Sequence, residues 1–385
     1  MTKIDTEAGV GTGRHASWLE LFFDLVVVAA ILQLAHRLHG EPTLRDIGIF
    51  VALYLAVWFA WISFTLYANV AGEKTRRRAM ILAMFGIAVM AAAVPEATGE
   101  RAVVFAVAYV VVRLLGLHTW AATRRTMLAW PSVQFASGIV PWAVSIFTPP
   151  PVRYALWGAG LTVDLVLSIL VGGWRTRASA PSPAYPLPAA RLDLTHLAER
   201  LGLFLIIVLG EGVLQLVTAA GQARWTADVI TVAVAGFVLL IGLWWPTFSY
   251  GITPTEHGRL PVWASMPLHF LGVVSITAVA AGLGALMDHA DGHPGPGVRW
   301  LLGGGLAAYF LGAVAGTILL RQRVFWLLYW GVPGVAAPVL LAIYGTRWSN
   351  PALAWLLVAV VAWQALYVWF DERRIKRRGK RLQVG

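Results

Sequence analysis

The chain has 385 residues, 58% of them hydrophobic and only 13% charged, with a mean hydropathy of +0.70. Soluble globular chains carry about 25% charged residues, so the composition excludes an ordinary water-soluble domain and indicates a polytopic membrane protein. The absence of cysteine excludes disulfides, thiolate metal sites and a cysteine nucleophile, and the formal charge of +11 sits at the ends of apolar runs and in the tail, where it reads as a topology signal in contact with anionic lipid headgroups and not as a nucleic-acid surface.

Residues 1–16 are polar and Gly-rich and lack the short apolar core of a cleavable signal, so the first apolar run is expected to direct insertion. Twelve spans are predicted, making an all-α integral membrane protein of two parallel six-helix halves. The first six run over 18–38, 46–70, 79–95, 102–121, 133–147 and 153–172. The second six run over 196–218, 228–248, 262–287, 299–320, 324–345 and 351–370. The fifth is short against the usual ~20 residues and is broken by Pro141, so it reads as tilted or incomplete. Residues 178–190 hold four prolines and form a stiff linker. The chain thus divides into 1–177, a linker at 178–192, a second half at 193–371 and a basic tail at 372–385.

The lysines and arginines set an orientation. With the N-terminus inside, Lys3, Arg14, Lys74, Arg76 to Arg78, Arg124, Arg125, Arg175, Arg177, Arg191, Arg259, Arg321, Arg323 and seven tail residues fall on the inner side. Arg37, Arg45, Arg101, Arg153, Arg224, Arg299 and Arg347 fall outside, so both termini are expected in the cytoplasm of a bacterial inner membrane. The four lysines, Lys3, Lys74, Lys376 and Lys380, lie outside the apolar runs, which excludes a Schiff base within the bilayer. Weak internal similarity supports a parallel repeat: Trp61 and Tyr67 match Trp244 and Tyr250, Glu20 matches Glu199, and Asp46 matches Asp228.

Against this background the polar residues inside spans stand out, because a carboxylate at membrane depth costs roughly 2.5–3.5 kcal/mol on insertion scales. The first span carries Glu20, Asp24, Gln33 and His36. Glu20 and Asp24 are four apart and share a helix face. Ser17-x-x-Glu20 is also a capping box, and a cap can still line a cavity. The seventh span carries Glu199, Arg200, Glu211 and Gln215. Arg200 and Glu211 share a face about 16 Å apart along the axis, and glycines flank Glu211. Glu199 and Arg200 can snorkel, pair locally or face a cavity. Arg113 in the fourth span can pair with Asp164 in the sixth, or with Asp24, and fix helix register. His36, His118 and His269 titrate near physiological pH but suit packing as well. The 19 tryptophans read as interfacial anchors.

Two stretches carry a family resemblance. Leu19-Glu-Leu-Phe-Phe-Asp-Leu-Val-Val-Val27 with His36, and His196-x-x-Glu199-Arg200-x-Gly-Leu-Phe-x-Ile-Ile-x-Leu-Gly-Glu211, closely resemble the bacterial low temperature requirement A family. The resemblance covers nearly the whole chain and implies an integral membrane protein tied to growth in the cold. A fainter likeness is to potassium channels whose six-span repeats open with Phe-Ser-Asp. Here Phe22-Phe23-Asp24 lacks the serine, and Leu203 stands where the second aspartate would fall.

Three function classes follow. The leading one is a transporter or channel moving an ion, proton or small solute through a polar cavity. In it Glu20, Asp24, His36, Arg113, Asp164, Glu199, Arg200 and Glu211 form the relay, with no cofactor or metal. The second is a non-transporting membrane protein for lipid sensing, scaffolding or cold stress, its polar residues acting as packing glue. The third, a lipid enzyme using Glu211 with His36 or His118 as acid and base, ranks last because no nucleophile stands out. Asp24, Arg113, Asp164 and Glu211 are expected to converge around one cavity if transport is right.

Overall fold

Residues 15–177, 187–250, 260–320 and 326–382 are described by the computed structural model. In chain order the helices are α1 Trp18–His36, α2 Leu44–Ala71, α3 Arg77–Ala93, α4 Ala102–Ala121, α5 Ser132–Phe135, α6 Ile139–Ser145 and α7 Val152–Arg177. They continue with α8 Leu194–Gln222, α9 Ala227–Tyr250, α10 Val262–Asp288, α11 Pro296–Leu319, α12 Leu327–Arg347 and α13 Asn350–Leu382. Eleven of these are long and apolar enough to cross a membrane, and the described residues include no strand.

Local chemistry sets several helix starts. Ser17 with Glu20, and Thr43 with Asp46, form reciprocal capping boxes at α1 and α2. The Asp193 carboxylate accepts the His196 N–H and opens α8. Packing then sorts the helices. The apolar stretches of α10 and α2 are 89% and 72% buried, against 28% in α12, so α10 and α2 are the centre of the bundle. Around them α8 packs on α10, α9 on α13, α1 on α3, and α3 on α4.

The expected fifth span is not one helix. Residues 133–147 hold the end of α5 and all of α6. Ala136 between them adopts a left-handed backbone, φ 46°, which ends α5. The interrupted segment nevertheless follows α7 along its length. The Ser132 N–H donates to Ser168 Oγ at 3.3 Å and the Gly138 N–H to Asp164 Oδ1 at 2.9 Å. Trp142 stacks on Trp157 with centroids 4.6 Å apart, and Arg153 Nε donates to the Ser145 carbonyl. Gly138 and Gly160 make this approach possible, because a Cβ on either would strike the other's carbonyl oxygen.

The described end of the proline-rich linker lies against the turn after α4. Thr126 N–H donates to Pro188 O at 2.9 Å, and Ala190 N–H to Thr126 O at 2.8 Å. The expectations for 178–186, Lys3, Arg14, Arg259, Arg321 and Arg323 lie outside the described residues. α13 continues into the expected tail as far as Leu382.

The aromatic reading needs correction, and the residues matched as a repeat differ in their surroundings. Trp58, Trp61, Trp120, Trp130 and Trp142 are fully buried in the core, while Trp18, Trp174, Trp225 and Trp348 are exposed near helix ends as anchors. The matched repeat residues occupy unlike surroundings: Trp61 is enclosed and Trp244 is half exposed, while Glu20 is buried and Glu199 is partly exposed.

At the end of the bundle where α1 and α3 finish, arginines close helix C-termini. Arg37 donates to the carbonyls of Val94 and Pro95, Arg101 to Ala92, Arg153 to Ser145, and Arg299 to Ala342 and Ile343. These carbonyls lie in or just past the last helical turns, where intrahelical donors run out, and a cation there also meets the negative end of the helix dipole; the Val94 and Ser145 carbonyls accept turn N–H groups from Ala97 and Thr148 as well.

Candidate functional site

Four ionisable side chains meet where α1 and α8 begin. Arg200 Nε donates to Asp24 Oδ2 at 3.0 Å and its Nη2 to Asp24 Oδ1 at 2.6 Å, a bidentate pair. Its Nη1 lies 3.2 Å from Glu20 Oε1, and His196 Nε2 lies 3.4 Å from the same oxygen. Glu20, Asp24, His196 and Arg200 are each at most 1% exposed. The sequence logic is a pair of four-residue spacings. Glu20 and Asp24 place two carboxylates on one face of α1, while His196 and Arg200 place an imidazole and a guanidinium on one face of α8.

Other elements orient this group. Trp61 on α2 donates its indole N–H to Asp24 Oδ1 at 2.7 Å. The same ring is stacked between Phe204, at 4.2 Å, and His269, at 5.5 Å. Asn69 at the end of α2 contacts His196 Nδ1 at 3.0 Å and exchanges bonds with the Asp193 backbone. Glu20 keeps its cap as well, accepting from the Ser17 N–H and hydroxyl at 2.8 Å. Cap and ion pair therefore coexist on one side chain.

His269 is held in one tautomer. Trp58 Nε1 is a donor only and points at His269 Nδ1 (3.4 Å), while the Leu201 carbonyl, an acceptor only, lies 3.2 Å from Nε2. The ring therefore carries its proton on Nε2. It forms part of the wall of a cavity of about 270 Å³, which is also lined by Glu199, Gly202, Thr247, Phe248 and Tyr309. Thr247 and Tyr309 share a 2.6 Å hydroxyl contact there. Through Trp61, which stacks on His269 and bonds Asp24, this cavity and the ion network share a partition.

The second ion pair is separate. Arg113 Nη2 donates to Asp164 Oδ2 at 2.6 Å, with both side chains 1% exposed. Arg113 also reaches the Phe59 and Ser132 carbonyls and Ser63 Oγ, and its guanidinium lies over the rings of Phe59 and Tyr109. Asp164 in turn accepts the Gly138 N–H at the start of α6. Asp164 thus satisfies the Gly138 N–H at the break between α5 and α6, while Arg113 adds a second donor to the Ser132 carbonyl, which already accepts the Ala136 N–H.

Glu211 stands alone. It is 8% exposed, and among the described residues its polar partner is Gln215 Nε2 at 3.4 Å. The eight residues expected in one relay therefore divide. Glu20, Asp24 and Arg200 come together with His196; Arg113 and Asp164 form the second pair; Glu211 has only Gln215. Glu199 faces His15 at 3.4 Å and lines the cavity. His36 lies exposed at the far end of α1 against His39. Neither His36 nor exposed His118 meets Glu211, so the acid–base pairing considered for an enzyme is not assembled. Among the described residues no three His, Asp or Glu side chains are placed to hold a metal ion.

Trp61, Asn69 and Ser63 carry much of this geometry and were not singled out as site residues. His196 had a usable signal, its four-residue spacing from Arg200. Asn69 and Ser63 had none, because their role depends on which helix faces them.

A family model described as Bacterial low temperature requirement A protein (LtrA) matches residues 15–365. An uncharacterized protein of Rhizobium meliloti (strain 1021) is 31% identical over 251 residues, which span 61% of this chain and 59% of that protein. No solved structure matches.

Proposed function

The chain belongs to the bacterial low temperature requirement A family, and on that premise we propose that it is a transporter, and not an enzyme, that moves an ion, proton or small solute across the bacterial inner membrane. The observation that carries this is the water-excluded network of Glu20, Asp24, His196 and Arg200 between α1 and α8, beside the 270 Å³ cavity. Two carboxylates face one guanidinium. The group is neutral only when His196 carries a second proton or when a proton or cation joins a carboxylate. Such a group is costly in a membrane unless ions meet it there. In the described conformation Trp61, Phe204 and His269 close the cavity from Asp24. Separation of α1 from α8 would open Asp24 and Glu20 to the cavity, and closure would restore the bidentate pair. This is the two-state element that alternating exposure needs.

The finer architecture belongs to the same reading: twelve crossings in two halves of six, with α5 and α6 as one broken crossing and both termini in the cytoplasm. The basic tail lies against anionic headgroups. Arg113 and Asp164 hold the broken crossing and do not touch the solute. The test is flux in proteoliposomes. Protein containing Asp24 should carry proton, sodium, potassium or solute current above empty vesicles. A folded Asp24→Asn protein should lose at least tenfold. Equal flux in both proteins would remove the reading.

One observation favours a second reading. Asp24, Arg113, Asp164 and Glu211 do not converge around one cavity as transport leads one to expect, and most of the buried charges are satisfied locally, in separate groups, as expected of side chains that glue helices. Under it Asp24→Asn lowers stability, and no vesicle preparation shows flux.

A further inference from the structure

A second cavity, of about 460 Å³, opens on the bundle surface between the start of α3 and the end of α4. Its rim carries Arg76, Arg77, Arg78 and His118, and its wall carries Leu82 and Leu115. The three arginines and His118 are exposed. Among the described residues none of these guanidinium groups has a carboxylate partner, and Glu73, the nearest acid in sequence, forms no ion pair with them. The Arg76 N–H donates to the Tyr67 hydroxyl and the Ala79 N–H to the Arg76 carbonyl, so among the described residues the Arg77 and Arg78 N–H groups are the first-turn donors of α3 without a partner. Below the rim Leu82 is 58% exposed, on the side of a helix long and apolar enough to span a bilayer.

We propose that this groove is a binding site for an anionic phospholipid, with the phosphate held by Arg76, Arg77 and Arg78 and one acyl chain lying along Leu82 and Leu115. Each part follows from the chemistry. Guanidinium forks match phosphate oxygens in pairs. The Arg77 and Arg78 N–H groups at the helix start add two donors for the same anion. Basic pockets between spanning helices at the membrane surface suit acidic headgroups. The aliphatic wall decides between a lipid and a free phosphate ion. A soluble anion gains nothing from Leu82 and Leu115, whereas a lipid needs an apolar track for its chain just below its charge. The site is independent of the ion network and of any transport activity.

The experiment is native mass spectrometry of the purified full-length protein, exchanged from mixed micelles of phosphatidylglycerol and phosphatidylcholine. The protein should retain phosphatidylglycerol in preference to phosphatidylcholine. Neutralising Arg77 and Arg78 (Arg77→Gln with Arg78→Gln) should weaken retention about fivefold per charge. Because those charges also direct insertion, Leu115→Trp provides an arm that keeps every charge and fills the groove, and it should reduce retention as well. Arg124→Gln with Arg125→Gln removes two cations from the adjacent turn and should leave retention unchanged. The proposal is overturned by equal retention of the two lipids, by an equal loss in the Arg124/Arg125 variant, by no loss in Leu115→Trp, or by complete displacement with millimolar inorganic phosphate.

Discussion

Arg200 holds both carboxylate oxygens of Asp24, at 3.0 and 2.6 Å, across 176 positions of sequence. Removing either partner leaves a charge buried without its counter-ion, which costs about 3–5 kcal/mol. Arg200→Gln should be the worse of the two, because it takes the guanidinium from Glu20 as well as from Asp24. Combined with Asp24→Asn, the loss should fall below the sum of the single losses by about 0.5–3 kcal/mol. Reversible unfolding in detergent or bicelles reads all three variants, and strict additivity would show that the pair is not coupled.

Trp61→Phe isolates one hydrogen bond. The ring remains between Phe204 and His269, but the N–H that meets Asp24 is gone. A hydrogen bond to a charged group is worth about 1.5–3 kcal/mol, so a loss of that size is expected in the same unfolding measurement. A near-neutral result would assign Trp61 to packing alone.

Arg113→Lys should behave as a loss of function of the side chain, although charge is kept. One ammonium cannot reach Asp164, Ser63, and the Phe59 and Ser132 carbonyls together. The expected effect is about 3–5 kcal/mol of destabilisation, with faster proteolysis between α4 and α6. A lysine variant as stable as the parent would mean the backbone bonds contribute little.

Glu211→Gln should do the opposite. Among the described residues the carboxylate has Gln215 as its partner and no cation, so the amide should change stability by less than about 1 kcal/mol or raise it. If the residue carries an ion, flux should fall while stability holds. A large stability loss would reveal a partner that the described conformation does not contain.

Side-specific labelling tests the broken crossing, and the absence of native cysteine removes background. Ala122→Cys, after α4, and Pro149→Cys, after α6, should react with an impermeant maleimide from opposite faces of the membrane. Reaction from one face would make α5 and α6 a re-entrant pair.

Much of this molecule can be read from its residues. Apolar length locates the eleven long helices, Ser17 announces the start of the first, and Pro141 announces the interruption. The two cohesive clusters were half visible. Four-residue spacing shows that Glu20 and Asp24 share a face, yet spacing within a helix is silent on which helix faces it. Arg113 could be matched with Asp164 or Asp24 until packing chose Asp164 and gave Asp24 to Arg200. Glu211 was legible only in part for the same reason: the glycines beside it promise a close neighbour but do not say which polar group meets the carboxylate. Tryptophan composition misled differently, because a ring that anchors at a headgroup also fills a core, and Trp61 does the second.

The arginines that close helix C-termini have a consequence for how the protein sits in a real membrane. Arg37, Arg101, Arg153 and Arg299 direct their protons inward to carbonyls, so four of the seven cations assigned to that rim have little left to offer a phosphodiester. At the opposite rim Arg76, Arg77, Arg78, Arg124 and Arg125 make no such bonds among the described residues. The two leaflets therefore meet chemically different surfaces, and a bilayer with its acidic lipids on one side would select a single orientation on reconstitution.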